Sequence, residues 1–238
     1  MTSHLKDLKV YTTYPHSCSY LPNKEATTLF VDPRQDIDIN LYTRLSLVGF
    51  RRSGNHIYRP HCAQCDQCLP ARVIVKSFEP NRSQRRNIRK NSDLNIKQAR
   101  DIRDNESYSL YARYIESRHD NGDMYPPSRE QYESFLNNSL DCTRYYQFRY
   151  RDKLIAVSVI DLLNDGISAI YTFFDPRHND RGLGNYVILW QLKYAAELTL
   201  DYVYLGYWIK NCRKMSYKSS FRPLQIYNNG GWYELSHH

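Results

Sequence analysis

Three strand-like runs follow one another with almost nothing between them: YYQFRY (145–150), LIAVSVIDLL (154–163) and ISAIYTFF (167–174). The joins, Arg151-Asp152-Lys153 and Asn164-Asp165-Gly166, are too short to carry a crossover helix. Neighbouring strands must therefore run antiparallel, as a meander. Beyond the loop DPRHNDRGLG, the segment NYVILWQLKYAAEL (185–198) has the length and apolar density of a helix, and YVYLGYW (202–208) reads as another strand. The class this order predicts is α+β, with antiparallel or mixed sheets flanked by helices.

The rest of the chain is less regular. TTLFVD (27–32) and ARVIVKSF (71–78) read as strands. A helix over about 36–48 is predicted by Ile37, Leu41, Leu45 and Val48, which share one face. After residue 103 comes a polar helical stretch with Tyr108, Tyr111, Ile115, Tyr132, Phe135 and Leu136 as core candidates. Pro126 and Pro127 end one element there, and Ser128 is placed to cap the next. The 238 residues suffice for one large domain or two small ones. We divide them into two halves, 1–103 and 104–238.

Charge narrows the choice of partners. Lys and Arg exceed Asp and Glu by eight, which points to a polyanion. Much of that excess sits in NRSQRRNIRK (81–90), where Arg82, Arg85, Arg86 and Arg89 fall on one side of a helix and Lys90 follows. No acidic residue interrupts these ten positions, so phosphates would offset their repulsion. The N-terminus lacks the apolar run of a signal peptide, and no stretch has the roughly 18 apolar residues of a membrane span. A cytoplasmic protein with reduced thiols is the expectation. In such a protein Cys62, Cys65 and Cys68, evenly spaced in RPHCAQCDQCLPAR, suggest metal binding or reactivity rather than disulfides.

The strand–strand–strand–loop–helix–strand order resembles the Gcn5-related N-acetyltransferase fold, and Arg181-Gly182-Leu183-Gly184 resembles the end of that fold's phosphate-cradling loop. It departs from the pattern three residues before the first glycine, where Asn179 stands in place of Gln or Arg. Longer matches cover nearly the whole chain: CSYLP (18–22), GFRRSGNHIYRPHCAQCDQCLPARV (49–73), RSQRRNIRKN (82–91), YTFFDP (171–176), RGLGNYVILWQ (181–191) and YVYLGYWIKNCRKMSYKSSFRPLQI (202–226). By these the chain resembles the aminoacyl-tRNA–protein transferases of the N-degron pathway, in their short bacterial form. The resemblance implies two acyltransferase-like halves. It also implies transfer of leucine from leucyl-tRNA to proteins with N-terminal Asp or Glu, marking them for degradation, with no cofactor needed for the chemistry.

Each part of that reaction has sequence candidates. An acidic acceptor side chain needs a cation, from Lys214, Lys218 and Arg222 at four-residue intervals beside Tyr217, or from Arg59, which can grip a carboxylate bidentately. Asp175 has two readings: it orients or deprotonates the attacking amine, or it serves the turn before Pro176. Backbone N–H groups around Leu183 and Gly184 are donors for an oxyanion or for the tRNA end. For tRNA phosphates the candidates are Arg82, Arg85, Arg86, Arg89 and Lys90. Cys18, Cys62, Cys65 and Cys68 would be the ligands of zinc or an iron–sulfur cluster, or else remain reduced thiols; Cys18 and Cys68 keep two of the four positions that the family's metal-linked cysteines occupy. Two other functions fit parts of the sequence. An acetyl-CoA-dependent acetyltransferase would leave the basic helix unused, and a noncatalytic RNA-binding protein would leave the acyltransferase pattern idle.

Overall fold

The computed structural model describes residues 8–120, 122, 124–137 and 140–236. In the first part, strands β1 (Val10–Thr12), β2 (His16–Ser17), β3 (Glu25–Ala26) and β4 (Thr28–Val31) precede helix α1 (Ile39–Leu47). Strands β5 (Arg51–Ser53) and β6 (His56–Pro60) follow, and β1, β4, β6 and β5 form a four-stranded sheet in that order. Asp38 starts α1 by accepting the Leu41 N–H at 2.7 Å, and Leu41, Tyr42 and Leu45 bury against Val31 and Ile57. The predicted apolar face is therefore the packed one.

Strand β7 (Leu69–Ile74) is shorter than the 71–78 run suggested. The Val75 N–H still meets the Asp201 carbonyl at 2.8 Å, opposite it in the β12 register, and residues 75–77 then turn away as a 3-10 segment. Helix α2 (Arg82–Lys90) opens on a reciprocal capping box between Asn81 and Gln84. After it come β8 (Asn95–Ala99), α3 (Asn105–Arg118) and the short α4 (Arg129–Tyr132), which Ser128 caps as expected.

The meander forms as the spacing requires. Strands β9 (Thr143–Tyr150), β10 (Lys153–Leu162) and β11 (Gly166–Phe174) pair antiparallel in sequence order. Helix α5 (Leu183–Glu197), β12 (Tyr202–Trp208), β13 (Leu224–Asn228) and β14 (Gly231–Glu234) complete the chain. One eight-stranded sheet results, ordered β14-β13-β7-β12-β11-β10-β9-β8. Strands from both sides of residue 103 enter it: β7 lies between β12 and β13, and β8 pairs with β9.

Strand β10 shows why its sequence is almost continuously apolar. Val157 and Val159 face α3 with Tyr111, Ile115 and Phe173, while Ala156 and Ile160 face α5 with Val187 and Leu192. Both faces of the strand are covered, so alternation disappears. Each fully buried aliphatic side chain contributes roughly 1.5–3 kcal/mol, which makes this two-sided core the main source of stability.

Candidate active site

Strands β11 and β12 make the one parallel pair of the eight-stranded sheet among the described residues, and they pair only over Gly166–Ser168 and Tyr202–Tyr204. Beyond that they diverge, although β11 continues to Phe174 and β12 to Trp208. The wedge between them opens into a cleft of about 720 Å³. Its walls are β11 (Ala169–Thr172 and Phe174), β12 (Leu205–Tyr207), the start of α5 and the end of α3. A 3-10 segment, Arg213–Ser220, closes one side with Lys214, Tyr217 and Lys218.

Arg51 sits where the strands part. It is 8% exposed, and its guanidinium donates to the carbonyls of Tyr204 on β12 (3.3 Å) and Ala169 on β11 (2.5 Å), satisfying acceptors that the separating strands leave behind. Gly206, at φ +78°, sits at the bulge of β12 beside the guanidinium, in a left-handed conformation that favours glycine. Lys218, 7% exposed, donates its Nζ to the Tyr207 carbonyl. Burial, and then the charge of Arg51, lowers its pKa from 10.5 to about 7. His119, at the end of α3, is likewise held below its ordinary value, first by burial and then by Lys214 and Arg118. Among the described residues the cleft lining contains cations, tyrosines, amides and apolar groups, and no carboxylate.

The N-terminus of α5 forms another part of the wall. Gly182 is the N-cap at φ +61°, with no side-chain cap, and the first intrahelical bond comes from the Tyr186 N–H. The amides of Leu183, Gly184 and Asn185 are thus open donors beside the cleft. Helix α2 holds this loop in place. Asn87 and Asn91 donate to the Arg181 carbonyl at 2.8 and 2.9 Å, and a Cβ at Gly182 would meet Asn87 at 2.8 Å. Arg82, Arg85, Arg86, Arg89 and Lys90 all stay exposed, with Lys90 ion-paired to Asp180 at 3.0 Å.

The structure thus gathers Leu183, Gly184, Lys214, Tyr217 and Lys218 in one cleft and leaves other candidates outside it. Arg59 lies on β6 with its guanidinium 5.2 Å from the Phe50 ring centre. Arg222 is committed to the carbonyls of Ser219 and Leu235. Asp175 is buried and takes the turn reading. It caps residues 176–181 by accepting the Arg177 N–H at 3.0 Å, and the Arg177 side chain, helped by Arg113 at 3.7 Å, holds its carboxyl below the usual range. Such a carboxylate is a weak base. Arg51 was not among the sequence candidates; in GFRRSG nothing local separates it from its neighbour Arg52.

Cys18, Cys62, Cys65 and Cys68 do come together. Burial, then the nearby Cys18, Cys62, Cys65 and Cys212, pushes the Cys68 thiol up to about 12. Cys18 accepts the Leu21 N–H at 3.4 Å and Cys62 donates to the Thr27 carbonyl at 3.7 Å. As folded, the four do not fit a metal: among the described residues no group of three or more His, Cys, Asp or Glu is arranged to hold one. No described helix is long and apolar enough to cross a membrane.

Comparison with known proteins adds the family context. The chain matches the N terminus of arginine-tRNA-protein transferase over residues 16–86 and its C terminus over 106–228. It is 54% identical over 236 residues to an aspartate/glutamate leucyltransferase of Stutzerimonas stutzeri, covering 99% of this chain and 100% of the relative. The corresponding protein of Pseudomonas fluorescens is 52% identical over 234 residues, 98% of this chain and 100% of that one. Among solved structures, FemX superposes with a TM-score of 0.52 at 8% identity, covering 92% of this chain and 86% of that one.

Proposed function

The chain belongs to the arginine-tRNA–protein transferase family, and we infer that it is an aminoacyltransferase moving leucine from leucyl-tRNA to the N-terminal Asp or Glu of proteins. The observation that carries this choice of substrates is a cleft with buried cations and, among the described residues, no carboxylate. An arginyl side chain would bring a further positive charge into such a cleft with nothing to pair it, whereas leucine requires only apolar wall, which Ile188, Leu205 and Met215 supply. An acidic acceptor side chain, by contrast, brings the missing counter-charge.

The chemistry is an exchange of ester for amide. The acceptor's α-amine attacks the carbonyl that joins leucine to the tRNA, a tetrahedral oxyanion forms, and the ribose hydroxyl leaves. No ATP and no cofactor enter. With a pKa near 8, roughly a tenth of the amine is already neutral at pH 7, so the protein's main task is alignment. The open N–H groups at the start of α5 supply donors for the oxyanion. The exposed cations of α2, whose Asn87 and Asn91 anchor the Gly182 loop, give tRNA phosphates a landing surface continuous with the cleft. The product carries an N-terminal leucine, the mark for degradation in the N-degron pathway.

The test is transfer of labelled leucine or arginine from tRNA to peptides beginning Asp, Glu, Arg or Ala. Leucine on the Asp and Glu peptides alone is the expected result. Arginyl-tRNA as the better donor would overturn the choice of donor, and equal labelling of all four peptides would overturn the choice of acceptor.

A further inference from the structure

Three cations lining the cleft are more than nine-tenths buried; Arg52 has Asp161 at 2.6 Å, and the other two, Arg51 and Lys218, stand side by side along β12. Arg51 donates to the Tyr204 carbonyl and lies against Gly206; Lys218 donates to the Tyr207 carbonyl. Neither meets a carboxylate among the described residues: Arg51 has two main-chain carbonyls and Lys218 has one. Neutral carbonyls compensate a buried charge only in part, and like charges this close repel. A fold keeps such a pair at a stability cost, which an anion arriving with the substrate removes.

We propose that Arg51 and Lys218 together form the subsite that binds the side-chain carboxylate of the acceptor's first residue, with Arg51 as its principal specificity determinant. This rests on the acidic-acceptor reading above and deepens it. The guanidinium has donors left after its two carbonyl contacts, in a planar array that suits a carboxylate. Tyr58, Tyr207 and Tyr217 line the same cleft, and burial raises their hydroxyl pKa values, so they stay protonated and add no anion. Exposed cations at Lys214 and on α2 suit the tRNA backbone. Binding also moves a proton. Lys218 is faced by Arg51 from β5, by the Tyr207 carbonyl from β12, and by Tyr217 and Cys212 on its own stretch of chain. A carboxylate placed among these groups restores the charged ammonium, so an acidic acceptor should take up a proton where an amide one does not.

The experiment compares Asp with Asn, and Glu with Gln, as first residues of otherwise identical peptides. Wild-type, R51M, R51K and K218M proteins are checked for cooperative melting and assayed with leucyl-tRNA. A wild-type Asp/Asn ratio of kcat/KM near one would mean that the acidic-acceptor reading has failed before any variant is considered. With a large wild-type ratio, R51M is expected to reduce it at least tenfold through the acidic peptides alone, R51K less, with the KM for leucyl-tRNA unchanged. Should R51M fail to fold, K218M, which leaves the Arg51 contacts in place, carries the same expectation. Calorimetry at pH 8 in buffers of different ionisation enthalpy should show extra proton uptake for Asp over Asn in wild type and none in K218M. An undiminished Asp/Asn ratio in the folded variants overturns the subsite. So does an equal loss for both peptides with a raised KM for leucyl-tRNA, which would give these cations to a tRNA phosphate.

Discussion

Arg51 and Arg52 are neighbours on β5, both buried, and their surroundings could hardly differ more. Arg52 meets Asp161 of β10 through Nε at 2.6 Å and Nη2 at 2.8 Å, and its Nη1 donates to the Gly54 carbonyl at 2.7 Å. Asp161 also accepts from the Tyr42 hydroxyl at 2.8 Å and the Thr143 hydroxyl at 2.7 Å. That network ties α1, β5, β9 and β10 together, and every charge in it has a counter-charge. Arg51, on the opposite face of the strand, meets two main-chain carbonyls and, among the described residues, no carboxylate. The contrast teaches that burial of a cation does not define its role; what matters is whether the protein supplies the anion or leaves that to a ligand.

The sharpest way to break this comparison is stability. Asp161→Ala strands the Arg52 charge in the core and should cost about 3–5 kcal/mol, read as a shift in denaturant midpoint. Arg51→Met should cost clearly less while reducing transfer to acidic peptides. Equal destabilisation by the two substitutions would erase the distinction between the neighbours.

A second expectation sets the enclosed cations against the exposed ones. Reversing Arg82, Arg85, Arg86 and Arg89 to Glu should raise the KM for leucyl-tRNA and leave the peptide KM in place. The log–log salt slope should fall by roughly 0.7–0.9 for each phosphate that α2 no longer neutralises. An unaltered slope would move the tRNA surface away from α2.

Lys218 gives a smaller, pH-dependent effect. With its folded pKa near 7 against an ordinary 10.5, it is unprotonated in the folded chain across that window while the unfolded chain still binds the proton. Stability should therefore fall as pH drops from 10.5 towards 7, with the penalty fully present below about 7. Denaturant midpoints across this range should show K218M flatter than wild type. Parallel curves would mean that the lysine is charged throughout.

The smallest effect is expected at the cysteines. Cys68→Ser should cost about 1 kcal/mol, additively with Cys62→Ser, as separate packing roles predict. One equivalent of zinc or iron in anaerobically prepared protein would show instead that the four thiols reorganise around a metal.

Much of this was legible in the chain itself. The turns at 151–153 and 164–166 dictated the meander, the period of Leu41 and Leu45 oriented α1, and the acid-free run at 81–90 placed the basic helix. Leu183, Gly184, Lys214, Tyr217 and Lys218, which line the cleft, could be named as candidates because a glycine loop and a cation every fourth residue are local patterns. Arg59, Arg222 and Asp175 show the limit of that reasoning. Residue type admitted each of them to the site, and only their contacts with Phe50, Leu235 and Arg177 took them out of it.

What the sequence determined by itself is therefore what depends on neighbours along the chain: strand alternation, turn length, helix caps and the placing of like charges. The cleft belongs to the tertiary structure. It exists because β11 and β12 stop pairing after Ser168 and Tyr204, and because an arginine more than a hundred residues earlier fills the apex where they part. No local pattern encodes that meeting, since it is set by the packing of β5 across the sheet. For the same reason only the fold could show that, among the described residues, Arg52 has its carboxylate and Arg51 does not.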